Sequence, residues 1–300
     1  MALVTDSTIT VELPLSARRI LLRRALAHRS LVVGSTILFV IVLLSMLAPF
    51  LTSADPTLQN LAQRFVPPVW NVAGSWGHPL GTDSLGRDNF ARLLYGARIS
   101  LLVGILTVAL SALIGTTLGI CAGYFGGRVD AVITFVITVR LALPVTLVAL
   151  VVVALVGSSL QLLILVIGLL LWDQFAIVSR SATQQLMSRE FITAARTIGS
   201  SHWRTLLVEI LPNIRGPLIV VVSLELAHAI LAESALSFLG LGVQPPALSW
   251  GLMISEAKNQ LMFRPWIVAI PGVGLILLIL AINLIGDALR DLTAPEGRAG

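Results

Sequence analysis

Of the 300 residues, 56% are hydrophobic and only 12% are charged, with a mean hydropathy of +0.94. A soluble domain carries roughly 25% charge and about 45–50% apolar residues, so the composition excludes a water-soluble globule and points to an integral membrane protein. The single Cys121 excludes an intramolecular disulfide and a multi-cysteine metal site, and the formal charge of +5 is distributed as topology demands rather than as a nucleic-acid footprint.

A spanning helix needs about 20 mainly apolar residues, because in hydrocarbon the backbone must satisfy its own hydrogen bonds. Six stretches qualify: Leu31–Leu51, Ile99–Ala122, Ala131–Val156, Leu160–Val178, Pro217–Leu236 and Trp266–Ile285, spans 1 to 6. The expected fold is all-α with six transmembrane helices; a barrel would show short alternating strands. The organisation predicted is a tail over 1–30, span 1 over 31–51, an outer segment over 52–97, a five-helix core over 98–287 containing a polar loop at 180–212, and a tail over 288–300. Polar and basic residues fill the first tail, unlike a secretory signal, so span 1 is read as an anchor.

With the N-terminus inside, thirteen arginines fall in inner segments, from Arg18 to Arg298, against five Lys or Arg outside: Arg64, Arg87, Arg92, Lys258 and Arg264. The positive-inside rule therefore places both termini in the cytoplasm. The basic stretch at 15–29 reads either as an amphipathic helix on anionic lipid or as a topology signal alone. The outer segment, with Pro56, Pro67, Pro68, Trp70 and Trp76, is too polar to span and is expected to be a folded external loop. Within it, Asp83, Arg87 and Asp88 read as a turn and ion-pair network.

In span 2, Ser111, Gly115 and Gly119 recur every four residues and allow another helix backbone to approach closely. Asp130 is a candidate N-cap for span 3, and Arg140 within that span is expected to snorkel inward. Spans 3 and 4, joined by Gly157, Ser158 and Ser159, form a hairpin.

Residues 188–212 form a polar island. Ser188 reads as an N-cap with Glu190 in the first turn, Gly199 as a C-terminal break, and Ser200 or Ser201 as the next cap. Pro212 is expected where the second helix gives way to span 5. Ala194 and Ala195 are small enough to pack against the spans, and Phe191, Ile192 and Ile198 are expected to form one apolar stripe. About thirty patterned residues exceed what a simple return needs, so the loop reads as a docking element or as a helix lying on lipid.

Span 5 holds Glu225, His228 and Glu233, which are costly in a bilayer and are therefore pathway candidates. A polar contact with another helix is the plainer reading. The Glu-x-x-His spacing matches half of a di-metal motif, but the second half is missing, and no metal site is expected. The segment holding Gly240, Gly242, Pro245 and Trp250 is too broken for a lipid-facing helix and is expected to fold back as an outer gate or platform.

The stretch Phe-Ile-Thr-Ala-Ala-Arg-Thr-Ile-Gly199, with Pro212 thirteen residues on, resembles the EAA loop of type I ABC importer permeases. His78-Pro-Leu-Gly-Thr-Asp83-Ser-Leu-Gly-Arg87-Asp88 and Glu233-Ser-x-Leu-Ser-Phe-Leu-Gly-Leu-Gly-x-x-Pro245 are similar to the C-type permeases of dipeptide, oligopeptide and nickel importers. The resemblance implies a passive pore half in a bacterial inner membrane. It implies a second homologous permease, two ATP-binding subunits or a fused ATPase, and an external solute-binding protein as partners. Glu190, Thr193, Ala194, Ala195, Arg196, Gly199 and Pro212 would contact the ATPase. Thr193 stands where the family has its namesake glutamate. The only lysine, Lys258, does not follow a glycine-rich loop, so ATP and Mg are expected on the partners and no cofactor on this chain. The rival readings are a stand-alone proton-coupled transporter using Glu225, His228 and Glu233, and an intramembrane hydrolase.

Overall fold

A computed structural model describes residues 27–293, with residues 1–26 and 294–300 outside it; most of the basic stretch at 15–29 falls there. The helices are α1 (Arg29–Met46), α2 (Asn89–Phe125), α3 (Gly127–Leu141), α4 (Val145–Val156), α5 (Leu160–Met187), α6 (Glu190–Thr197), α7 (His202–Phe238), α8 (Trp250–Ala257) and α9 (Trp266–Thr293). Among the described residues the only strand-like pairing is an isolated bridge between Thr82 and Asp88.

Five helices, α1, α2, α5, α7 and α9, are each long and apolar enough to cross a membrane. The unbroken span 3 expected from hydropathy is instead the pair α3 and α4, bent by 81°. Pro144 causes the break. It lacks an N–H and disfavours helical geometry at the residue before it, and Leu143 N turns to Arg140 O at 3.1 Å. Asp130 is not the cap of α3. Gly126 takes that place at φ 63°, and Asp130 pairs with Arg180 of α5 from inside the first turn.

The body of the bundle is built on contact between α2 and α5. A Cβ on Gly115 would meet Trp172 O, one on Gly119 would meet Ala176 O, and one on Gly123 would lie 2.8 Å from Arg180 O. Ser111 Oγ donates to Gly168 O at 2.8 Å. The four-residue spacing seen in span 2 thus brings two backbones together at four successive positions, where lipid offers no hydrophobic drive and close packing must do the work. α7 packs on both α2 and α9, whereas α1 buries only Gly34 and Ser45 and lies at the periphery against α9.

Three contacts define the two ends of the bundle. Arg98 Nε donates to Ser45 O at 2.7 Å, joining the end of α1 to the start of α2. Tyr124 Oη meets His202 Nδ1 at 2.8 Å, joining the end of α2 to the polar loop. His28 Nε2 lies 3.3 Å from Asp291 Oδ2, so both ends of the described chain lie at that same loop end.

Candidate functional site

The polar loop folds as helix, turn, helix. Gly199 at φ 86° ends α6, with Ser200 N bonded to Ala195 O at 3.0 Å. This glycine-terminated closure satisfies a carbonyl that the helix end would orphan. Ser201 accepts from Arg204 N at 3.4 Å and caps α7. Ser188 is not an N-cap; its Oγ donates back to Gln185 O at the end of α5.

Pro212 does not end the second helix. Residues 205–210 take a widened turn in which Leu211 N reaches back to Leu206 O, and Asn213 Nδ2 donates to Glu209 O at 2.6 Å. The wide turn carries the backbone past the proline, which has no donor of its own, so α7 continues from His202 to Phe238.

Ile192, Leu206, Ile210 and Ile214 are buried together against Ile120 and Tyr124 of α2. The expected apolar stripe does not form as a single face. Ile192 and Ile198, six residues apart, point about 120° apart on a helix of 3.6 residues per turn; Ile192 enters the bundle while Ile198 is 86% exposed. Phe191 and Trp203 are also exposed. Glu190, Thr193, Ala194 and Gly199 are exposed and Ala195 is half-buried, so Ala194 does not pack against the spans as expected. Arg196 lies in the last turn of α6 and Pro212 in the first turn of the α-helical part of α7.

At the opposite end, Asp83 Oδ1 accepts from Leu85 N and Arg87 N, and Arg87 Nε donates to Asp83 Oδ2 at 2.6 Å. Arg87 and Arg92 converge on Glu256 at 2.8 and 2.5 Å. Asp88 caps α2 through Ala91 N at 2.7 Å and accepts His78 Nδ1 at 2.8 Å. Nearby, Thr57 Oγ1 donates to Asp55 at 2.6 Å and holds that carboxyl below the usual range. Trp70 and Trp76 stand exposed on the segment.

The segment from Gly240 to Trp250 folds back beneath this network. Gly240 takes φ 83°, Gly242 lies against Ser237, and the Pro245-Pro246 bond is cis. Trp250 is buried, donating from Nε1 to Leu93 O at 2.8 Å. Glu233 belongs here rather than with its span 5 neighbours. It is fully buried, and Ser237, Ser249 and Ser234 donate to its carboxylate at 2.6, 2.7 and 3.3 Å. It ties α7 to the start of α8.

Glu225 and His228 instead lie near mid-depth. Glu225 Oε1 stands 3.2 Å from His228 Nδ1, and both line an open cavity of about 910 Å³ with Gln174, Gly216 and Arg290. Behind them Arg140 and Asp173 form an ion pair at 3.3 Å. Arg140 therefore does not snorkel. It sits thirteen residues into α3, about 20 Å along the axis, and Asp173 holds it there. Glu256, the Arg140–Asp173 pair and the Tyr124–His202 contact carried no local sequence signal, since each joins residues distant in the chain.

A bundle of apolar helices with a glycine-packed centre, a polar helical loop at one end and a proline-rich segment at the other is the build of a transport permease. Residues 115–297 match the family of binding-protein-dependent transport system inner membrane components, and residues 16–68 match the N-terminal transmembrane domain of oligopeptide transport permease C. The chain belongs to that inner membrane component family and is a permease subunit of an ABC importer, in which separate subunits hydrolyse ATP. It is 37% identical over 269 residues to a dipeptide transport system permease protein of Haemophilus influenzae, covering 90% of this chain and 91% of the relative. It is 38% identical over 269 residues to the corresponding Escherichia coli protein, covering 90% of each. Its fold resembles a chain of the inward-facing MetNI methionine ABC transporter with a TM-score of 0.52 at 16% identity, covering 68% of this chain and 97% of that one. Family membership leaves the stand-alone proton-coupled reading and the hydrolase reading without support.

Proposed function

We propose that this chain forms one half of the translocation pathway of a peptide-class ABC importer. It crosses the inner membrane six times, with the bent pair α3 and α4 as one crossing, and its termini and loop are cytoplasmic. A second homologous permease supplies the other half, two ATP-binding subunits or a fused ATPase dock on the loop, and a solute-binding protein docks on the platform. ATP and Mg belong to the ATPases, and this chain holds no cofactor. The peptide assignment rests on the dipeptide permeases it matches across about nine-tenths of its length.

The observation that carries the coupling role is the two-sided loop. Its inner face, Ile192 and Leu206, is buried against α2, while Phe191, Ile198 and Trp203 stand uncovered on the outer side. An exposed apolar set on a well-anchored helix fits a protein partner. Closure of the ATPases then displaces α6, and Tyr124 and Ile120 carry that displacement into α2. The glycine contact makes α5 move with α2. Only contacts that differ between the two states can shift such an equilibrium, and a rigidly held lever supplies them.

The test is dialanine uptake by the importer reconstituted with its partners. Gly199→Leu forces a side chain onto a φ of 86° and distorts the loop face; the expected result is continued ATP hydrolysis with uptake reduced about tenfold or more. Unchanged uptake per ATP would remove the loop from the coupling path.

A further inference from the structure

The cavity between α5, α7 and α9 runs along α7 from Asn213 at the loop end to His228, a rise of about 22 Å for fifteen residues. At its deep end lies Glu225, only 2% exposed. One carboxylate oxygen, Oε1, meets His228, while the other, Oε2, has no hydrogen-bond partner. His228, with 61% of its side chain exposed, covers this carboxylate from the cavity side.

Among the described residues, Glu225 has a single hydrogen-bond partner, His228, on one of its two oxygens. Asp173 is answered by Arg140, and Arg290 lines the cavity much nearer the end of α9. Glu225 is left with an unused acceptor at Oε2. Unsatisfied buried acceptors and intramembrane charges are costly, and their persistence points to a group that arrives from outside the chain.

We propose that the deep end of this cavity receives the protonated amine of the transported solute, with Glu225 as its counter-ion and the His228 imidazole as a flap that swings off Oε1. This rests on the peptide reading and names the part of the peptide that is recognised. A primary ammonium is a compact charge with three donors, matching a carboxylate with a second carboxylate, Asp173, close behind. A metal ion fits poorly, since no group of three His, Cys, Asp or Glu among the described residues could hold one. A guanidinium would need both oxygens open side by side, and Oε2 is buried.

The experiment titrates the complete importer in lipid nanodiscs, without nucleotide or solute-binding protein, and reads binding by calorimetry. Three probes are used: dialanine, N-acetyl-dialanine, which lacks the cation, and propylammonium, which lacks the peptide. Dialanine and propylammonium are expected to bind, and N-acetyl-dialanine to bind at least about tenfold more weakly, the factor expected for losing a hydrogen bond to a charged group. Glu225→Gln should weaken both cations by a similar factor, and Glu225→Asp should restore part of it. Equal binding of free and acetylated dialanine, or no change in Glu225→Gln, overturns the proposal. If Glu225→Gln does not assemble, His228→Ala decides: it leaves the carboxylate in place and uncovers it, so dialanine should bind at least as tightly, and loss of binding overturns the site. Propylammonium binding without dialanine binding or uptake would keep the cation site and sink the peptide reading. Dialanine uptake with equal binding of its acetylated form would do the reverse.

Discussion

Two charged clusters in this molecule are built to opposite standards. At the platform end, Arg87, Arg92, Asp83 and Glu256 form a network in which both guanidinium groups meet carboxylates. At mid-depth, Arg140, Asp173, Glu225 and His228 are also drawn together, yet Arg140 Nε and Glu225 Oε2 have no hydrogen-bond partner. The second cluster borders the larger cavity, about 910 Å³ beside Glu225 and His228 against about 320 Å³ beside Arg87, Arg92 and Glu256. Matched buried charges brace a structure, whereas a charge left partly unmatched beside open space is available to a passing solute. The contrast separates the two clusters more clearly than polarity alone, which groups Glu233 with Glu225.

The same substitution applied to each cluster should have very different effects on stability. Glu256→Gln leaves Arg87 and Arg92 buried without their shared anion and should cost about 3 kcal/mol, read as a lower melting temperature of the purified complex in detergent. A melting temperature equal to the parent would show the platform network to be ornamental. Asp173→Asn, which strips Arg140 of its counter-ion at mid-depth, should cost about 2 kcal/mol by the same measurement. Tyr124→Phe removes the hydroxyl that meets His202 and should cost about 1 kcal/mol; its larger effect is expected on solute moved per ATP hydrolysed, with solute KM unchanged. Glu225→Gln is the smallest on this scale. Replacing a poorly satisfied buried carboxylate by a neutral amide should leave stability within about 0.5 kcal/mol or raise it, while uptake falls. A large loss of stability in Glu225→Gln would erase the distinction between the two clusters.

Much of the architecture was legible because the bilayer imposes strict local rules. Apolar runs of span length, the small-residue series at Ser111, Gly115 and Gly119, and the Gly199 break each report a constraint that acts within one helix or between two adjacent backbones. Misreadings arose where hydropathy cannot register geometry. Pro144 sits inside an unbroken apolar run, yet its missing donor splits span 3. Pro212 reads as a stop, yet a widened turn carries the helix past it. Ile192 and Ile198 look alike by composition, and only their angular separation sends one inward and the other out.

The sequence by itself determined that this chain is a multi-helical membrane protein, where its polar loop falls, and which family motifs it bears, because span length and turn chemistry are local properties. The tertiary structure decided how the costly polar residues divide. Glu233 is held by three serines, two of them on its own helix and one at the start of α8; Arg140 is held by Asp173 from another helix, and Glu225 lies at a cavity wall with an oxygen unclaimed. Whether a buried charge is a brace or a binding group depends on which partners the packing of distant helices brings within hydrogen-bond reach, and that information does not exist in any single segment.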